Sequence, residues 1–140
     1  MTLILHFGIT CMLAGLIFTI QWVHYPSFHF VTAADFARFS AFHSSRITWL
    51  VGPLMIAELL LTAGLLFDTS VNPLRAWSAA ILLAVIWLST VFLQVPLHGI
   101  LAQGVSPAAI DRLVSTNWIR TVAWSLKAGL LGWELVKVGR

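Results

Sequence analysis

The sequence predicts an all-α membrane protein, a single domain over residues 1–140 in which four transmembrane helices form an up-down-up-down bundle. Of the 140 residues, 59% are hydrophobic and only 9% are charged, whereas a soluble domain carries about 25% charged residues. The mean hydropathy is +0.93. Four apolar stretches of roughly 20 residues have the length that crosses a bilayer, and they cover residues 3–23, 49–67, 74–95 and 118–138.

The first apolar stretch is expected to be a retained helix rather than a cleaved signal peptide. It has no basic start and no A-x-A cleavage site, and it contains His6 and Gln21. The helix should end near Pro26, because the residue before a proline is pushed away from helical geometry. Cys11 is the single cysteine, so an internal disulfide is excluded.

An amphipathic helix along the membrane surface is predicted before the second span. Thr32 and Asp35 have the form of a capping box. Residues at helical spacing then share one face, namely Phe36, Phe39, Ser40 and His43. We expect this segment to run into the second span, where Pro53 would introduce an early kink.

The third and fourth spans have recognisable boundaries. The short polar loop 68–73 predicts an antiparallel hairpin between the second and third spans, and the third should close around residues 94–99. Ser106 followed by Pro107 is a typical helix start, so the last helix should begin outside the bilayer and continue inward. The second and fourth helices therefore extend beyond the bilayer on one face.

The distribution of charge predicts the orientation and the partners. In this topology both termini and the loop 68–73 lie on one side, together with Arg75, Lys137 and Arg140. The positive-inside rule then favours cytoplasmic termini in a plasma (inner) membrane. The net charge is +3 without a basic stripe, so we expect no nucleic-acid partner. The expected partners are the lipid bilayer and a small lipophilic substrate, and a homo-oligomer is left open.

Polar residues fall where all four predicted helices meet the same membrane face. They are His24, His43, Arg46, Gln94, His98, Asn117 and Arg120. Polar groups inside a membrane are rare because hydrocarbon cannot solvate them, so a cluster of them predicts a functional site. His43 and Arg46 are three residues apart and should share a helical face, as should Asn117 and Arg120.

Several chemistries suit this cluster. His43 or His98 can act as a general base, Arg46 and Arg120 can stabilise an anion, and Asn117 can orient a substrate. As an alternative, three histidines can bind a metal or haem, and these would be His24, His43 and His98. A third interpretation is a non-catalytic membrane subunit or small transporter, in which the cluster only locks the helices together.

Two further ionisable residues should lie deeper in the same bundle. Glu58 is about 18 Å beyond Arg46 along its helix, and Lys127 is about 15 Å beyond Asn117. They would form a structural ion pair, since pairing neutralises both charges in the membrane. Because Asp35 and Asp111 belong to the interface and Glu58 lies too deep, Arg120 should have no carboxylate partner from a transmembrane segment.

Two segments resemble a known family. Residues 89–98 read STVFLQVPLH and residues 117–123 read NWIRTVA, and both are similar to the small four-helix membrane proteins related to anthrone oxygenases. The resemblance points to Pro96, Asn117, Arg120 and Thr121. It departs at three positions, where His98 and Gln94 replace asparagines and Trp118 replaces a histidine.

The resemblance implies a reaction as well as a fold. Anthrone oxygenases oxidise an activated aromatic compound with O2, without a metal or an organic cofactor. Our leading interpretation is therefore an oxygenase-like membrane oxidoreductase that acts on a small lipophilic substrate, aromatic or quinone-like.

Overall fold

The computed structural model describes residues 2–138, and in this range it contains helices and turns but no strand. Arg140, used above to predict the orientation, lies outside the described residues. Four long helices form the fold: α1 (Thr2–Phe30), α2 (Ala33–Leu65), α3 (Pro73–Leu101) and α4 (Pro107–Val138). The predicted all-α architecture is therefore confirmed.

Three of these helices, α1, α2 and α3, are long and apolar enough to cross a membrane. The fourth helix is long but carries more polar and charged residues, which lower its apolar character. The charged and amide side chains within its predicted span, and just before it, are those of Asn117, Arg120, Lys127, Glu134 and Lys137. The structure thus indicates a membrane protein with at least three helices of spanning character.

The helices pack as a bundle with an apolar outer surface. Neighbours along the chain pack together, and α4 also packs against α1, which closes the bundle. Large apolar side chains such as Leu5, Leu60 and Ile81 are exposed on the outside. The largest core cluster lies near the α1–α2 and α3–α4 connections and includes Leu13, Phe28, Phe36, Ile110, Leu113 and Trp124.

Two helices, α1 and α3, continue through prolines near which the sequence predicts their ends. The prediction that the first helix ends near Pro26 is wrong, because Tyr25 keeps helical angles of φ −66° and ψ −42°. In each helix a π-helical turn precedes the proline, over Ile20–His24 and Thr90–Gln94. The residue before the proline donates its N–H to the carbonyl five residues back, so the helix continues although the proline has no N–H.

Other helix starts agree with the sequence. Thr32 is the extended residue before α2, which begins at Ala33 and runs without a break through Pro53. The Thr32 hydroxyl, however, donates to the Asp35 carboxylate at 3.0 Å instead of capping a backbone N–H. At the start of α4, the N–H of Ala109 donates to Ser106 Oγ at 3.4 Å.

Candidate functional site

The π turns of α1 and α3 place polar side chains against α4. Gln21 and Tyr25 from α1 and Gln94 from α3 are all buried next to α4. Because a π turn widens the helix and shifts the register of the residues that follow it, polar groups on both sides of the turn are brought into the bundle. Such turns occur frequently at functional sites.

Arg120 is the centre of a buried hydrogen-bond network. Its Nε donates to Asn117 Oδ1 at 3.0 Å, and its Nη2 donates to the same oxygen and to the Tyr25 hydroxyl at 3.3 Å. Asn117 in turn donates to Gln21 Oε1 at 2.8 Å. No ion pair within residues 2–138 involves Arg120. Within the described residues its hydrogen-bond partners are therefore the neutral groups of Asn117 and Tyr25.

Three histidines lie next to this network. His98 Nε2 is 3.1 Å from the Tyr25 hydroxyl, and the His98 and His43 ring centroids are 5.3 Å apart. His43 Nδ1 is 2.6 Å from His24 Nε2, so one of these two nitrogens carries a proton and the other accepts it. Two buried ring nitrogens, His43 Nε2 and His98 Nδ1, have no hydrogen-bond partner in the part of the chain described.

A cavity of about 230 Å³ adjoins Arg120 and His98. Its polar end is formed by Tyr25, Gln94, His98 and Arg120, and most of the remaining wall is apolar. The exposed residues Thr48 and Val95 place its opening between α2 and α3. The apolar wall and floor consist mainly of Leu13, Leu16, Ile17, Ile20, Ile47, Val51 and Trp124.

Gln94 is an unusual member of the cavity wall. Its side chain is only 1% exposed, its amide nitrogen donates to Thr116 Oγ1 at 3.0 Å, and its Oε1 has no partner among the described residues. A buried polar atom without a hydrogen bond carries a desolvation cost of about 1–3 kcal/mol. The Oε1 atom is therefore a candidate acceptor for a ligand donor.

The predicted site residues occupy different positions around this cavity. His98 and Arg120 line it, whereas Asn117 is fully buried behind Arg120. His24 and His43 line a separate groove between α1 and α2. The placement of Arg46 within the buried cluster is wrong, because its side chain is exposed and lies over the Phe42 ring, 5.4 Å from its centroid.

The three histidines of the metal or haem alternative bond to other side chains in the structure. His24 and His43 bond to each other, and His98 contacts Tyr25. Over residues 2–138, no group of three or more His, Cys, Asp or Glu side chains is arranged to hold a metal ion.

Tyr25 was not among the site residues predicted from the sequence. The hydroxyl of Tyr25 joins Arg120 to His98. The sequence signal that could have placed Tyr25 in the site is its position next to His24 and one residue before Pro26. In contrast, Trp22, Trp49 and Trp118 are exposed, as interface anchors would be.

A second buried polar cluster lies below the cavity. Lys127 Nζ is 2.9 Å from Glu58 Oε1, which agrees with the predicted ion pair, and both side chains are fully buried. His6 of α1 also belongs to this cluster, with Nε2 3.2 Å from Lys127 Nζ. Trp124 donates to Glu58 Oε2 at 3.0 Å and also forms part of the cavity floor.

Comparison with known proteins adds no family assignment. The resemblance of residues 89–98 and 117–123 to the anthrone oxygenase group stays a prediction from sequence. No protein-family model matches the chain, and no curated protein or solved structure matches it.

Proposed function

We propose that the protein is an oxygenase-like membrane oxidoreductase that binds a small lipophilic substrate, aromatic or quinone-like, in the cavity between α2 and α3. The observation that supports this most is the combination of an apolar wall with a buried, unpaired guanidinium at one end. An apolar cavity with a few convergent polar groups is the usual form of a small-molecule site. Its side opening allows a lipophilic substrate to come from the bilayer.

Each polar group at the closed end has a defined role in this proposal. His98 is the general base, since it lines the cavity beside Arg120. Arg120 stabilises the oxyanion that forms when the substrate loses a proton. Asn117 does not reach the substrate and instead holds the guanidinium in position through Nε and Nη2. Gln94 accepts a hydrogen bond from the substrate at Oε1.

The reaction balances with O2 as the only co-reactant. A CH2 group between two aromatic rings gives a proton to His98, and its electron pair, delocalised onto a carbonyl oxygen beside Arg120, forms a C–O bond to O2. The resulting peroxide is protonated, the second C–H proton is removed and the O–O bond breaks. The carbon becomes a carbonyl and the other oxygen leaves as water.

Oxygen uptake with anthrone as the probe substrate tests the proposal. We expect the purified protein in detergent to convert anthrone to anthraquinone with one O2 consumed per molecule. His98→Gln should lower kcat at least about 100-fold, the usual contribution of a general base. Arg120→Gln should lower kcat/KM by about 100-fold or more, as the loss of an oxyanion donor does.

Matched variants away from the cavity serve as controls. His29 pairs with Asp111 at the surface, and Arg112 is exposed at the start of α4, so His29→Gln and Arg112→Gln should keep wild-type rates. All variants should unfold at similar temperatures. Equal losses in cavity and control variants, or no anthrone-dependent uptake above the buffer rate, would refute this function.

We also propose that α4 crosses the membrane, which gives four spans with both termini on the cytoplasmic side of a plasma (inner) membrane. Its polar residues Asn117, Arg120 and Lys127 are buried inside the bundle. Its outward side chains are apolar and exposed, namely Trp118, Ile119, Val122, Leu126 and Trp133. This distribution suits a helix that faces lipid on one side and polar partners on the other.

A further inference from the structure

A second groove runs along the outside of the bundle between α1 and α2. It has a volume of about 300 Å³ and does not include Arg120 or His98. Its polar residues, His24, His43 and Arg46, lie next to Phe39 and Phe42 at one end. Ile47 follows Arg46 on α2, and Leu16 and Leu50 line the groove farther from His24 and Phe39.

The predicted spans put the polar end of the groove near the membrane boundary. His24 directly follows the first predicted span, and Arg46 closely precedes the second. Leu16 and Leu50 lie within the first and second predicted spans. The groove is therefore polar near the membrane surface and apolar toward the membrane interior. A lipid molecule has the same arrangement, with a polar headgroup at the surface and apolar chains inside.

The polar end carries a positive charge that no described residue neutralises. Arg46 is exposed and makes no ion pair within residues 2–138. The ring of Phe42 holds its guanidinium at the groove. His43, which is 5% exposed and also lines the groove, has a buried Nε2 without a partner among the described residues.

We propose that this groove binds one anionic phospholipid. The phosphate would pair with Arg46, with hydrogen bonding from His43 after a small adjustment of its ring. One acyl chain would lie along Leu16, Ile47 and Leu50. Arginine suits a phosphate because its planar donors match the phosphate oxygens. The proposal does not rest on the oxygenase activity, although Leu16, Ile20 and Ile47 line both the groove and the cavity.

Native mass spectrometry of the detergent-purified protein tests the proposal. Phosphatidylglycerol and phosphatidylcholine with the same acyl chains are titrated separately, and the dissociation constant of the first bound lipid is measured. We expect phosphatidylglycerol to bind more tightly. Arg46→Gln should weaken it about fivefold, the effect of one basic residue near an anionic lipid. The variant should weaken phosphatidylcholine less, because the choline of that lipid already partly neutralises its phosphate.

Two further variants make the result specific. Arg112→Gln, which removes an exposed arginine away from the groove, should keep wild-type affinity. Leu50→Trp places bulk on an exposed groove position and should weaken both lipids without loss of thermal stability. Equal affinity for the two lipids, or equal losses in Arg46→Gln and Arg112→Gln, would overturn the proposal. A dimer that disappears in Leu50→Trp, without any lipid preference, would assign the groove to a second copy and also overturn it.

Discussion

At the scale of single residues, the two buried cations of α4 have different surroundings. Lys127 has the carboxylate of Glu58 at 2.9 Å, so its charge is neutralised within the bundle. Arg120 donates hydrogen bonds to neutral groups, those of Asn117 and Tyr25, and forms no ion pair within residues 2–138. A positive charge therefore remains at the end of the cavity. This difference separates a structural ion pair from a group that can bind an anion.

The structural role of the ion pair predicts a pattern of stability. Removal of one partner of a buried pair typically costs about 3–5 kcal/mol, because the other charge is left unpaired. Glu58→Gln should therefore lower the unfolding temperature in detergent more than the double change Glu58→Gln with Lys127→Met. Thermal unfolding followed by circular dichroism measures both. Additive losses in the double variant would mean that the two side chains do not interact.

At the scale of the helices, α4 differs most from a simple apolar span. Its inward face carries a polar residue at almost every turn, from Asn117 through Lys127 to Glu134. Each of these three side chains forms hydrogen bonds with residues outside α4. Glu134, for example, accepts hydrogen bonds from Arg75 and from the backbone of Asn72. The polar face therefore joins α4 to α1, α2 and α3.

This arrangement predicts the topology of α4. A tag inserted at Gly104, in the turn between α3 and α4, should lie on the opposite side of the membrane from a tag at the C-terminus. The reason is that the exposed face of α4 is apolar and would be unfavourable in water. Protease protection in sealed vesicles measures the location of both tags. Tags on the same side would mean that α4 lies at the membrane surface.

The starts of α2 and α4 could be predicted from the sequence, but the continuation of α1 and α3 through their prolines could not. Thr32 and Ser106-Pro107 carry local signals, so α2 and α4 begin as expected. At Pro26 the local signal favours an end, and the π turn that overrides it depends on packing against other helices.

The site was predictable only in part for a similar reason. Helical spacing placed His43 and Arg46 on a common face, but it could not tell which edge of that face points outward. In the structure His43 is buried and Arg46 is exposed. For Asn117 and Arg120 the same spacing was sufficient, because the polar partners Gln21 and Tyr25 face them across the bundle.

At the scale of the whole molecule, the bundle has an apolar exterior, and the polar residues inside it form two layers. One layer contains Arg120, Tyr25 and His98, and the other contains Glu58, Lys127 and His6. The cavity lies beside the first layer, and Trp124 separates it from the second. In the proposed function, a lipophilic ligand would lie next to Arg120, which forms no ion pair within residues 2–138.

The most direct test of this account is the location of a bound ligand. Crystals of the protein grown with 2-bromoanthraquinone, a non-reactive analogue of the proposed product, would show bromine by anomalous diffraction. The account predicts one bromine peak within the cavity between α2 and α3, with a ring carbonyl directed to Arg120. A peak at another surface, or no peak although the compound binds in solution, would contradict it.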